Sequence, residues 1–290
     1  MATNAKKAEK SLKIPRLILI TGKFLALISD KWVTAFAAKL FTTPLKHKIP
    51  KREAEMDTKS KQQTIRIAAI NKDIVVYQYG MGPKKILLSH GWSGRGTQLV
   101  KIADALVKEG YSTISFDAPA HGKSPGKTTL MPEFIATILQ LEKDFGPFEA
   151  AVGHSLGGMS LLNAMRLGLK IDRLVTIGSG DIIQDIMDDF IKKLELHPKI
   201  SDFMRVHFEK QSGKTMDSYS AYLSAQQIDI PVLVIHDNDD FEVPVKCAHH
   251  INENLRKGTL MITNGLGHRK ILGSDKVIAA TVDFIKNEKK

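Results

Sequence analysis

Cysteine is nearly missing from this sequence. Cys247 stands alone among 290 residues, so no intramolecular disulfide can staple the fold, and a reducing, cytoplasmic compartment fits. Long uncharged runs are missing as well. Between Arg16, Lys23, Asp30 and Lys39 no stretch exceeds seven residues, whereas a membrane span needs about 20 mostly apolar ones. The same charges break the apolar centre that a secretory signal requires. No G-x-x-x-x-G-K-S/T loop occurs, and Gly80-Met81-Gly82 stands without the rest of a dinucleotide fingerprint. Internal repeats, low-complexity tracts and a clear linker are also absent.

What is present suits a globular chain: 43% hydrophobic and 25% charged residues. The net charge of +11 would ordinarily suggest a polyanionic partner, but it is unevenly placed. Residues 1–63 hold fourteen Lys and Arg against five acids, a net +9, and the other 227 residues carry only +2. A basic front end, 1–63, therefore precedes a nearly neutral body, 64–290.

In the front end, residues 1–13 are polar and lysine-rich and read as a frayed terminus. Apolar residues then crowd positions 14–42, with Arg16, Lys23 and Asp30 recurring every seven residues along one stripe. One or two amphipathic helices are expected there, stopped before Pro44. Such a helix can pack on the body, or lie in a membrane interface with its lysines near anionic headgroups. Nucleic acid is not an expected partner, because no recognisable binding motif accompanies the charge.

The body alternates strands and helices. Strands are expected at 64–70 and 74–80, paired through a turn at 71–73, and then at 85–89, 111–116, 149–153, 173–177, 232–236 and 259–262. Helices are expected at 97–108, 131–145, 156–169, 245–255 and 275–286. The pattern implies an α/β fold: a mainly parallel sheet covered by helices on both faces, with functional residues beyond the carboxyl ends of the strands. Residues 181–230 interrupt the alternation with helical stretches, as a small helical cap would.

Gly153-His154-Ser155-Leu156-Gly157 matches G-x-S-x-G, flanked by an apolar strand and a helix-forming run as that motif requires. A serine on such a sharp turn projects above the sheet at a helix N-terminus, where the dipole favours developing negative charge. Serine needs a base. His268, in Asn264-Gly265-Leu266-Gly267-His268 after the last strand, falls on the same side of the sheet. His249 and His250 fall in a helix and are expected to face solvent. A carboxylate should orient the base. Asp237, Asp239 and Asp240 all follow the strand at 232–236, and Asp181 follows the strand at 173–177. Two N–H groups should form an oxyanion hole: that of Leu156, and that of Trp92 in the loop Ser89-His90-Gly91-Trp92-Ser93-Gly94-Arg95-Gly96.

Together these residues resemble the α/β-hydrolase superfamily over roughly 64–288. His90-Gly91-Trp92 is similar to its H-G-x oxyanion loop, 117–124 to its D-x-x-G-x-G-x-S stretch with Ala120-His121 in place of part of the glycine pattern, and 153–157 to its nucleophile elbow. Asp240-Phe241-Glu242-Val243-Pro244 is similar to the D-x-x-V-P acid, which selects Asp240 and leaves Asp181 as the alternative. Gly267-His268 is similar to the catalytic histidine. The resemblance implies an α/β-hydrolase fold and a serine hydrolase cleaving carboxylic ester or thioester bonds through Ser155, Asp240 and His268, with no metal or organic cofactor and a small acyl substrate as its partner. Serine at the elbow disfavours epoxide or haloalkane chemistry. An amidase or peptidase, or a non-catalytic binding protein on the same fold, would carry the same residues.

Overall fold

The computed structural model describes residues 14–287. Apolar, β-branched runs in the body become the strands of one eight-stranded sheet, ordered β1-β2-β4-β3-β5-β6-β7-β8. The strands are β1 (Lys61–Ile67), β2 (Lys72–Tyr79), β3 (Lys85–Ser89), β4 (Ser112–Asp117), β5 (Ala150–His154), β6 (Arg173–Ile177), β7 (Val232–Asp237) and β8 (Gly258–Thr263). Only β2 runs against its neighbours; every pair from β4 through β8 is parallel.

The opening hairpin turns earlier than its sequence suggests. Strand β1 starts at Lys61 and ends at Ile67, a tight helical turn covers Ala68–Ile70, and Asn71 closes it in the left-handed region at φ 54°. Asparagine tolerates that conformation better than most residues, so the bend completes at 71 and β2 resumes at Lys72.

Period-two alternation sorts the central strands onto two cores. Leu87, Ala151, Leu174 and Val234 pack on one face of the sheet with helices α5 (Met131–Phe145) and α6 (Leu156–Arg166). Ile86, Leu88, Val152, Val175 and Ile235 pack on the other with α4 (Val100–Lys108) and α12 (Asp275–Lys286). With both faces covered, the central strands read as near-continuous apolar runs.

The front end forms two helices, α1 (Arg16–Ile28) and α2 (Asp30–Phe41), broken where Ser29 is extended. Buried Val33, Ala37 and Ala38 let α2 lie close on the body, and the Phe41 ring meets Phe190 edge-on at 5.2 Å. Asp30 pairs with Lys199 at 3.0 Å, and Lys23 with Glu195. Helix α3 (Ala54–Lys59) follows, and the buried Glu53 just before it accepts the Thr97 hydroxyl at 2.8 Å. No helix among the described residues is long and apolar enough to cross a membrane.

Between β6 and β7 lie α7 (Ile183–Lys193), α8 (Lys199–Ser212) and α9 (Ala221–Ala225). The two ends of this insertion are joined: the Asp181 carbonyl accepts the Ala221 N–H at 2.9 Å, and the Ser220 hydroxyl accepts the Ile183 N–H at 3.1 Å. Helices α10 (Lys246–Glu253) and α11 (Gly267–Lys270) complete the chain.

Candidate active site

Strand β5 ends at His154 and α6 begins at Leu156, so Ser155 alone makes the turn. It does so at φ 53° and ψ −123°, a conformation that costs on the order of 1–3 kcal/mol for a non-glycine residue. Its N–H donates to the Ile177 carbonyl at 2.9 Å, which ties the turn to the next strand. Neighbouring glycines make the turn fit. A Cβ on Gly157 would lie 2.3 Å from the Ser89 carbonyl oxygen, and one on Gly91 would lie 2.9 Å from the Ser155 Cβ. The loop after β3 therefore rests directly on the elbow.

His268 is the second residue of α11, in the connection after β8, and is almost fully buried. Its Nδ1–H donates to Asp240 Oδ2 at 2.7 Å. Asp240 Oδ1 accepts the N–H groups of Glu242 at 2.9 Å and Val243 at 2.8 Å, which fixes the carboxylate plane. Burial alone would raise this carboxyl. Bonding from His236, from His268 and from the Val243 N–H outweighs it and holds Asp240 well below the usual carboxylate range. Asp240 therefore stays ionised opposite the imidazole. Among the described residues no hydrogen bond joins the Ser155 hydroxyl to the His268 ring. Such bonds are often open until a substrate is bound.

The other acids named from the sequence have different partners. Asp237 accepts from the Thr263 hydroxyl and from the Leu266 and Gly267 N–H groups, and Asp239 accepts from the Gly265 N–H at 2.7 Å. Both hold the loop that leads to His268. Asp181 accepts from His250 Nδ1 at 2.5 Å and from the Tyr222 N–H at 2.9 Å, at the stem of the insertion. The His250 side chain is half-buried on this carboxylate, where a solvent-facing position was expected. A helical histidine can be tethered by an acid distant in sequence, which local periodicity does not reveal.

Four further histidines surround the elbow; the sequence places His90 and His121 within motifs but gives no role to any of the four rings. His90 Nδ1–H donates to the Gly91 carbonyl at 2.7 Å while its Nε2 accepts the Ala118 N–H at 3.1 Å. His121 Nε2 accepts the Ser93 N–H at 3.0 Å and its Nδ1–H donates to the Pro119 carbonyl at 3.1 Å. The two peptide groups that flank Trp92 are thus pinned from both sides. The Trp92 and Leu156 N–H groups donate to no loop or elbow acceptor among the described residues. Burial holds His90 down to about 4 and pushes His121 lower still, so both rings are neutral and their tautomers are set by these partners.

His154 lies against His268, ring centroids 4.7 Å apart, and donates from Nε2 to the His268 carbonyl at 2.9 Å. Burial, then the neighbouring His268, keep it neutral with a pKa of about 3, so it does not compete for the proton. His236 Nε2 donates to the Val243 carbonyl at 3.0 Å and sits 3.4 Å from Asp240 Oδ2. The one signal in the sequence for these roles is adjacency: each histidine borders a strand end or a glycine turn.

Asp117, at the end of β4, accepts from Tyr77 Oη at 2.8 Å and from the N–H groups of Gly96 and Lys123. It braces the loop after β3 against the loop after β4. No group of His, Cys, Asp and Glu able to hold a metal occurs among the described residues.

Comparison with known proteins agrees with the fold. A family model described as the alpha/beta hydrolase fold matches residues 84–205, and one described as TAP-like protein matches 212–289. No curated protein matches the chain. Among solved structures, a bromoperoxidase from Bacillus anthracis is 18% identical with a TM-score of 0.61, over 78% of this chain and 100% of its own. An esterase from Exiguobacterium antarcticum is 17% identical with a TM-score of 0.61, over 78% of this chain and 99% of its own. Est1E from Butyrivibrio proteoclasticus, solved with ferulic acid bound, is 17% identical with a TM-score of 0.61, over 78% and 100%. Likeness at these identities is one of fold. With its strand order, its strained strand-to-helix elbow and its matches to the fold's own family models in accord, the chain belongs to the α/β-hydrolase superfamily.

Proposed function

We propose that the protein is a serine hydrolase that cleaves carboxylic ester or thioester bonds. The observation that carries this reading is the 2.7 Å bond between His268 Nδ1 and Asp240, both in loops at the strand ends that also present Ser155. In this mechanism Ser155 Oγ attacks the acyl carbon while His268 Nε2 takes its proton. The ionised Asp240 stabilises the imidazolium and keeps Nδ1 as the donor. The negative charge on the carbonyl oxygen is met by the N–H groups of Leu156 and Trp92, the first also lying at the N-terminus of α6. His268 then protonates the leaving alcohol or thiol. Water, deprotonated by the same imidazole, attacks the acyl-serine and releases the acid.

A fluorophosphonate probe tests this. The chain should be labelled, and Ser155→Ala should abolish labelling. Absence of labelling in the parent protein would instead favour a binding role on the same fold. A panel of p-nitrophenyl esters of increasing acyl length, with an acyl-CoA and an anilide alongside, then separates ester, thioester and amide substrates.

A further inference from the structure

The front helices dock on the body by only part of their apolar surface. Helix α1 turns Gly22 inward, with the partly buried Ile18, Leu19 and Leu25 packed against the core. Leu17, Ile20, Phe24, Leu27 and Ile28 point outward instead, with Leu17 74% and Leu27 87% exposed. At about 100° per residue these five fall within an arc of about 100°, in a stripe about 16 Å long. Trp32, at the start of α2, is also exposed. Isolated surface leucines need no explanation, but a contiguous stripe that includes phenylalanine, with an exposed tryptophan at the start of the next helix, does.

The charge around the stripe identifies what covers it. Arg16 and Lys23 border its one edge on the same helical wheel, Lys23 already paired with Glu195, and Lys31 and Lys39 are exposed on α2. Across residues 14–52 there are eight Lys and Arg and one acid, Asp30, whose carboxylate is taken up by Lys199. The pattern continues through Leu45-Lys46-His47-Lys48-Ile49, where Leu45 and Ile49 are exposed and the Leu45 N–H donates to Ser93 Oγ at 2.9 Å, beside Trp92. An apolar stripe edged by cations is the complement of acyl chains beneath anionic headgroups. A protein partner or second copy would have to match those cations with acids, and residues 14–52 themselves offer only Asp30, already paired with Lys199.

We propose that the outward stripe of α1, with Trp32 and the bordering cations, seats the protein on an anionic lipid surface. The helices lie in the interface and do not cross it. The proposal is independent of the hydrolytic reading.

The test is co-sedimentation of the full chain with phosphatidylserine-containing and with pure phosphatidylcholine vesicles, at low and high salt. Binding should favour the anionic vesicles about tenfold or more and weaken with salt. The double variant Phe24→Glu, Leu27→Glu changes only exposed side chains. It should lose binding at least about tenfold while keeping its thermal midpoint and its turnover of a water-soluble ester. In a Trp92→Phe background Trp32 is the one tryptophan left, and brominated acyl chains should quench it. Ser155→Ala should bind like the parent, so docking and hydrolysis can fail separately. Equal binding by the double variant, or no binding to anionic vesicles, would overturn the proposal. So would a concentration-dependent dimer that the double variant disperses without any vesicle binding.

Discussion

Asp237 and Gly267 stand thirty positions apart, yet the Asp237 carboxylate accepts the Gly267 N–H at 2.9 Å. The same carboxylate takes the Thr263 hydroxyl at 2.7 Å, so one buried side chain clasps the whole turn that delivers His268. Neighbouring acids therefore divide the labour, since Asp237 places the loop and Asp240 meets the ring. Asp240→Asn keeps an oxygen for the Glu242 and Val243 N–H groups and removes the charge opposite His268. It should lower kcat on the order of 10⁴-fold with little change in melting temperature. Asp237→Asn should lower both together, as steady-state kinetics beside thermal melts would show.

Asp181 gives the contrasting case. Its side-chain partners are His250 and the Tyr222 N–H, while His268 Nδ1 bonds Asp240. Asp181→Asn should leave ester turnover within about twofold of the parent and cost about 1–3 kcal/mol of stability, read from denaturant midpoints. Collapse of turnover without loss of stability would reinstate it as the triad acid.

Acid sensitivity follows from the neutral histidines. His90 is held to about 4 and His154 to about 3, and His121 is lowered as well, all chiefly by burial. In the unfolded chain each titrates near 6.5. Below that pH the unfolded state binds more protons, so stability falls as pH falls, by up to about 1.4 kcal/mol per unit for each ring. Denaturant titrations should show a flat stability above pH 7 and a loss of several kcal/mol by about pH 5. His121→Gln should lessen the slope. A pH-independent midpoint would show that these rings are protonated in the fold.

Gly157→Ala should abolish soluble expression or destabilise the protein severely. Its Cβ would sit 2.3 Å from a backbone carbonyl, which has no rotamer by which to yield. Circular dichroism and yield report this, and a well-folded Ala variant would show that the elbow and the loop after β3 can move apart.

Burial pushes the Cys247 thiol up to about 11, so it is protonated near neutrality and shielded by the fold. An aromatic disulfide reagent at about pH 8 should react with it only after denaturant is added. Rapid reaction in the native protein would reveal opening at α10.

Much of this was legible in the sequence because local patterns announce it. An apolar run, a glycine-spaced serine and a helix-forming run are all short-range, and they sit at β5, Ser155 and α6. His268 could be named because the residue after a final strand must lie at the same sheet edge as the elbow. Choosing among Asp237, Asp239 and Asp240 could not rest on composition; it depends on which carboxylate the returning loop passes, a contact made across 28 positions. The hairpin bend begins at Ala68, ahead of the expected 71–73, because Asn71 could open or close it and only backbone conformation decides. Helix α1 is apolar around most of its circumference, so periodicity could not tell which flank would meet α2 and Leu196 and which would face outward.

The bonds that join Asp181 to Ala221 and Ile183 to Ser220 have an evolutionary consequence. Because the chain leaves and rejoins the sheet at one clasp, the stretch between is free to change as a unit together with the α2 face it packs on. Its length and lining can drift, or be replaced by design, while β6 and β7 keep their register and the elbow stays where it is. Change in that unit would then leave the strand ends beneath undisturbed.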